Sequence, residues 1–195
     1  EFFVTAFLIV LHTLFFGAGL AWWIMPRPWQ RWWPVLAPLA GWTLQSLAVW
    51  LGTYAGGHGT NSYAWASELV PAALLAGAIW RARGRLVGDV VRLRWLWLAM
   101  LVVGALLVWP MVRVTRDGPL TTVALGSCDA ADYAAGARVF QEFAHGDRGG
   151  MLGQTEVVNV ASADNFYDFW LRLNHFTPSA LMAHHASILG RQPHE

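Results

Sequence analysis

Residues 2–24 read FFVTAFLIVLHTLFFGAGLAWWI and contain no charged side chain. A helix rises ~1.5 Å per residue, so this stretch is long enough to cross a hydrocarbon core of ~30 Å. Three further apolar stretches follow at residues 34–56, 63–80 and 95–112, and the stretch at 63–80 carries Glu68. We therefore predict an all-α integral membrane protein with about four transmembrane helices in residues 1–113.

The tryptophans support this prediction. Twelve of the 13 precede residue 110, and many lie at the ends of the apolar stretches. An indole ring has an apolar body and one N–H donor, so it favours the headgroup boundary of a bilayer. We interpret most of these side chains as membrane anchors.

Charge divides the chain near residue 113 and predicts its orientation. Residues 1–113 hold eight Arg against three acids (+5), and residues 114–195 hold five Arg against nine acids (−4). The connections at 25–33 and 81–94 carry seven of these arginines, so we place them in the cytoplasm. The N-terminus and residues 114–195 are then extracytoplasmic, in a multi-pass protein of the cell (inner) membrane. This balance argues against a nucleic-acid partner.

Residues 114–195 are predicted to form a mostly helical juxtamembrane segment. Helical spacing of apolar residues begins at Asp129 and again near residue 177. The stretch 177–190 is too short to span a bilayer, so it either lies in the interface or begins a further crossing. The chain begins with Glu1 instead of methionine, and we expect it to be an N-terminal fragment of a longer protein.

A few polar residues lie within the apolar stretches. His12, Gln45 and Glu68 are the ones at depth, and an ionisable group inside a membrane is a candidate functional residue. Glu68 is close enough to the end of its stretch to reach water, so a structural or interfacial role is the main alternative.

The histidines near the C-terminus do not read as a metal site. His184 and His185 diverge by ~100° on one helix, so they do not project together as i,i+4 ligands do. With His175 and His194 they lack a cysteine partner or a His-Glu-x-x-His pattern. Interfacial hydrogen bonding is the expected role.

Asp129 and Asp132 are the main candidates for chemistry. At the first turn of a helix, either carboxylate can cap free backbone N–H groups and interact favourably with the helix dipole. A carboxylate at a membrane surface can also act as a general base or hold a divalent cation against a phosphate. Both interpretations are open at this point.

The stretch LGSCDAADY at residues 125–133, followed by Gly136-Ala137-Arg138, resembles multi-spanning glycosyltransferases of the GT-C superfamily. In those enzymes an acidic motif opens the first large extracytoplasmic loop. The stretch His175-Phe176-Thr177-Pro178 resembles their histidine-proline element before the next membrane segment. The family differs in placing its loop after the first membrane helix, and many members carry adjacent acids.

The resemblance implies a transferase that uses a lipid-phosphate-linked sugar donor. Asp129 would be the catalytic base, with Asp132 second, and both would be the ligands of a divalent cation (Mg²⁺ or Mn²⁺) if one is used. The implied substrate-binding residues are Tyr133, Arg138, Arg172 and His175. The implied partners are membrane lipid and the lipid-linked donor. The alternative is a non-enzymatic polytopic membrane protein, either a transporter subunit or an assembly scaffold.

Overall fold

The computed structural model describes residues 2–58, 63–115, 129–144 and 176–192. All regular elements in these ranges are helices. They are α1 (Phe2–Ile24), a 3₁₀ helix (Arg27–Trp32), α2 (Trp33–Tyr54), α3 (Ala64–Ser67), α4 (Leu69–Ala82), α5 (Arg85–Arg92), α6 (Arg94–Thr115), α7 (Asp129–Glu142) and α8 (Phe176–Leu189). The predicted all-α class is confirmed for the described residues.

The helices α1 and α2 form a hairpin whose backbones touch. A Cβ added to Gly17 would lie 1.8 Å from the carbonyl oxygen of Ala37, and one added to Gly41 would lie 2.1 Å from that of Thr13. Small residues permit this close approach between apolar helices, whose attraction comes from van der Waals packing. One glycine on each helix therefore permits the close packing of the hairpin.

The third apolar stretch, predicted as one segment at 63–80, is divided into α3 and α4 at Glu68. Pro71 has no backbone N–H to donate to the carbonyl of Ser67, which interrupts the regular hydrogen-bond pattern. The backbone N–H of Glu68 instead bonds the carbonyl of Trp65 at 3.2 Å. The break places Ser67 and Glu68 at a helix junction that faces α1.

Among the described residues, two helical stretches are long and apolar enough to cross a membrane: Val4–Ile24, and Arg27–Tyr54, which is the 3₁₀ helix together with α2. A third is added if α5 and α6, which meet at 56°, form one bent span. This assignment rests on length and composition. The described residues thus support membrane association with two or three spans, fewer than the four predicted, because α3 and α4 are each too short to pass the same test.

Both basic connections line one cleft of about 730 Å³, which includes Arg27, Arg81 and Arg85 together with Trp22. The helices α7 and α8 lie far from this cleft. They share an apolar cluster with Val49 and Tyr63, and Val49 is about 24 Å along α2 from Trp33. The basic connections therefore occupy one end of the bundle and α7 packs towards the other.

Residues 116–128, 145–175 and 193–195 lie outside the described ranges. Within the described part of the segment 114–195, the two helices expected from the sequence are present as α7 and α8. At 14 residues, α8 is about 21 Å long and does not cross a bilayer by itself.

The contact between α1 and α2 predicts a large effect for a single methyl group. We expect Gly17→Ala to lower the free energy of unfolding by about 3 kcal/mol, because its Cβ meets a backbone oxygen that cannot move alone. Unfolding of the purified protein in detergent, followed by circular dichroism, measures this loss.

The matched control is Gly104→Ala on α6, where nothing lies within 4 Å of an added Cβ. Alanine is favoured over glycine in helices by about 1 kcal/mol, so this variant should be neutral or slightly more stable. Equal stability of the two variants would contradict the close approach of α1 and α2.

Candidate functional site

His12, near the middle of α1, joins polar side chains from three other parts of the fold. Its Nε2 lies 2.7 Å from Oε1 of Glu68, and its Nδ1 lies 3.2 Å from Nε2 of Gln45 and 3.3 Å from Nδ1 of His185. The polar residues that the sequence placed at depth are thus brought together. Glu68 contributes from the junction of α3 and α4, Gln45 from α2 and His185 from α8.

His184 completes this group from the same turn of α8. Its Nε2 lies 2.9 Å from the hydroxyl oxygen of Ser67, and its ring stacks on His12 with centroids 5.4 Å apart. His184 is fully buried and His185 is nearly so. Among the described residues, Nδ1 of His184 and Nε2 of His185 have no hydrogen-bond partner.

The expectation that adjacent histidines cannot serve one site is wrong for this pair. One ring nitrogen from each of His12, His184 and His185 lies within 4.8 Å of the others. The two rings on α8 do diverge, but the ring of His12 contacts both, stacked on His184 and edge-on to His185. A third residue from another helix therefore unites side chains that cannot meet on their own helix.

Burial sets the protonation state of the two α8 histidines. It lowers the pKa of His184 to about 3, and repulsion from His12 and then from His185 adds to the shift. Burial and then repulsion from His12 lower the pKa of His185 to about 4. Both rings are therefore neutral imidazoles near pH 7, the form that binds metal ions.

The predicted catalytic residues Asp129 and Asp132 belong to the first turn of α7, which begins at Asp129. The capping interpretation requires such a helix start, and the catalytic interpretation is compatible with it. Their side chains lie outside the described part of the structure, as do Arg172 and His175 altogether.

Two of the predicted substrate-binding residues, Tyr133 and Arg138, lie on the same helix. Nε of Arg138 donates a hydrogen bond of 2.8 Å to Oε1 of Glu142, four residues on. Both side chains of this pair are partly exposed, at 44% and 36%. The pair contributes roughly 0.5 kcal/mol or less to stability, so the guanidinium can exchange this partner for another anion.

The C-terminal half of α7 is fixed to the bundle by hydrogen bonds. The hydroxyl of Tyr63 donates to the carbonyl of Phe140 at 2.7 Å. The side-chain amide of Gln141 donates to the hydroxyl of Ser187 at 3.3 Å and to the carbonyl of Arg191 at 3.2 Å. The helix α7 is thus docked on α8 and on Tyr63, which precedes α3.

Comparison with protein-family models, with curated proteins and with solved structures finds no match to this chain. The described residues define an all-helical protein with two helices that suggest membrane association and with a largely buried cluster of three histidines.

We expect Tyr63→Phe to lower stability by about 1–2 kcal/mol, because it removes a buried hydrogen bond to the carbonyl of Phe140. The loss should be local to α7. Hydrogen exchange of the amides in residues 133–142 should quicken in the variant.

Thr43→Val is the matched control, since it removes a hydroxyl-to-carbonyl bond of 2.9 Å that is exposed on α2. Exchange in α7 should not change in this variant. If Tyr63→Phe also leaves α7 exchange unchanged, the docking contact described above is wrong.

Proposed function

We propose that this chain belongs to a membrane glycosyltransferase that takes a sugar from a lipid-phosphate-linked donor at the extracytoplasmic face. The observation that carries the proposal is the position of α7, which begins at Asp129, packs on α8 and shares an apolar cluster with Val49 of α2. The similarity of residues 125–138 and 175–178 to the acidic and histidine-proline elements of GT-C enzymes supports the same function.

The position of α7 suits a donor that is itself membrane-bound. The lipid tail of such a donor lies in the bilayer and its phosphate lies at the surface. A helix docked at the end of the bundle remote from the basic connections would present its N-terminal carboxylates and free backbone N–H groups near that depth. A soluble donor would need no such location.

In the proposed reaction, Asp129 removes the proton from an acceptor hydroxyl as the oxygen attacks the anomeric carbon. The bond from that carbon to the phosphate oxygen breaks, and the lipid phosphate leaves with inversion at carbon. Asp132 is the second candidate for the base, and the two carboxylates could share a divalent cation such as Mg²⁺. Arg138, with Tyr133, Arg172 and His175, would bind the donor headgroup, and Arg138 can leave Glu142 at little cost.

The proposal includes an orientation and four membrane crossings. The basic connections would face the cytoplasm, and the N-terminus and residues 114–195 would lie outside the cell membrane. The common cleft of Arg27, Arg81 and Arg85 supports placing both connections on one side. The location of α7 towards the opposite end of α2 agrees with this orientation.

A transporter subunit or assembly scaffold is the second candidate, and the group formed by His12, Gln45 and Glu68 favours it. Ionisable side chains that meet between membrane helices often serve ion or substrate pathways. In that case these residues would be required for activity and the aspartates would only cap α7.

Substitution of the aspartates separates the two candidates. Asparagine caps helices well, so Asp129→Asn and Asp132→Asn should leave α7 folded. We expect loss of the general base to lower transfer by about 10²- to 10⁴-fold. The measurement is release of polyprenyl phosphate from a panel of polyprenyl-phosphate-linked hexoses, using the longest natural form of the protein in membrane vesicles.

Asp89→Asn, on α5 at the basic end of the bundle, is the matched control and should retain full transfer. Equal transfer by the wild type and both α7 variants would exclude Asp129 and Asp132 as the general base, and absence of transfer by the wild type would contradict the enzymatic proposal. The second candidate would then be tested through Glu68→Gln.

A further inference from the structure

We propose that His12, His184 and His185 form a binding site for a divalent transition-metal ion of the Zn²⁺ class, which ties α8 to α1. This site goes beyond the proposed transferase activity and does not depend on it. It lies between helices, whereas the proposed sugar-transfer chemistry belongs to the start of α7.

The spacing of the ring nitrogens fits a tetrahedral ion. With Zn–N bonds of ~2.0–2.1 Å, two ligand nitrogens in a tetrahedral site lie ~3.3 Å apart. Nδ1 of His12 and Nδ1 of His185 are 3.3 Å apart. The ligand nitrogens of all three residues lie within 4.8 Å of one another, so the third ring needs to move by no more than roughly 1.5 Å to reach the ion.

Neighbouring side chains orient two of these rings as outer partners do in metal sites. Oε1 of Glu68 holds Nε2 of His12 at 2.7 Å, which leaves Nδ1 of His12 directed at His185. The hydroxyl of Ser67 holds Nε2 of His184 at 2.9 Å, which leaves Nδ1 of that ring for an ion. A carboxylate that accepts the second N–H of a ligand histidine fixes the tautomer and strengthens the ligand.

A metal ion also accounts for one polar atom that the described residues leave without a partner. Nδ1 of His184 is buried and makes no hydrogen bond to the described residues. A buried ring nitrogen without a partner is destabilising, whereas coordination would satisfy it. Hydrogen bonding among the three histidines alone does not supply such a partner.

Gln45 is close enough to His12 to supply a fourth ligand to the ion. Its amide nitrogen lies 3.2 Å from Nδ1 of His12, and its oxygen lies 3.5 Å from the hydroxyl of Thr13. Turning the amide by a half rotation presents the oxygen to an ion bound at Nδ1. The fourth position is then filled by this oxygen or by water.

The donor set also predicts selectivity. Three imidazole ligands favour Zn²⁺, Cu²⁺ or Ni²⁺, whereas Mg²⁺ and Mn²⁺ prefer carboxylate and water oxygens. The ion in this site is therefore chemically different from any Mg²⁺ or Mn²⁺ bound by Asp129 and Asp132.

The test is titration of the purified, chelator-stripped protein in detergent with ZnCl₂ alone, followed by calorimetry. We expect one ion per chain with a dissociation constant of about 10⁻⁷ M or tighter. Co²⁺ should give the intense visible absorption of a tetrahedral nitrogen site, and Mg²⁺ should give no heat of binding.

His12→Asn, His184→Asn and His185→Asn should each weaken Zn²⁺ binding by at least about 100-fold, and Glu68→Gln by about 10-fold. The matched control is His58→Asn, which removes a histidine outside this group and should bind Zn²⁺ as the wild type does. Binding at wild-type affinity by all three ligand variants would overturn the site, as would absence of stoichiometric binding to the wild type.

A measurement on the wild type tests the site even if the histidine variants do not fold. Zn²⁺ should raise Tm and slow hydrogen exchange of the amides in α8, EDTA should reverse both effects, and Mg²⁺ should cause neither. No change in α8 exchange at saturating Zn²⁺ would contradict a link between α8 and α1. Since Asp129→Asn should bind Zn²⁺ normally, failure of the metal site and failure of the transferase proposal are distinguishable.

Discussion

The imidazole of His12 is the polar group around which the described helices are arranged. It lies in an otherwise apolar helix, where a polar ring without hydrogen bonds would be costly to bury. Its partners come from Gln45 on α2, from Glu68 at the junction of α3 and α4, and from His185 on α8. The hydrogen bonds of this one ring therefore require three other parts of the chain to lie against α1.

Close backbone packing makes that arrangement possible. The glycines at 17 and 41 let α1 and α2 approach until an added Cβ would overlap a carbonyl oxygen. Towards the end of the hairpin remote from the basic connections, the apolar cluster of Val49 and Tyr63 receives α7 and α8. The same docking brings His184 and His185 to His12 and holds the C-terminal half of α7 against α8. The histidine cluster and the helix of Asp129 are thus parts of one assembly.

The long helices were predictable, because an apolar stretch of about 20 residues without charges is typical of a membrane-spanning helix. The prediction of residues 2–24 agrees with α1, and that of residues 34–56 with α2 to within two residues at its C-terminal end. The start of a helix at Asp129 was also predictable from cap chemistry and apolar spacing. The break at Glu68 was not predicted, because hydropathy averages over the interruption that Pro71 imposes. The 56° bend between α5 and α6 lies before the predicted segment, which began at residue 95 because the five arginines of residues 81–94 indicated a connection.

The candidate histidine site shows most clearly what could not be predicted from the sequence. Sequence reasoning selected His12, Gln45 and Glu68 separately by their depth, and it judged His184 and His185 by their own helix alone. The sequence by itself determined the helical, membrane-associated character of the chain and the residues that carry polar groups, since these follow from local composition and periodicity. Only the tertiary structure decided that His12 contacts His184 and His185, which lie 172 and 173 residues further along the chain. That contact depends on how α8 packs against α1 and α2.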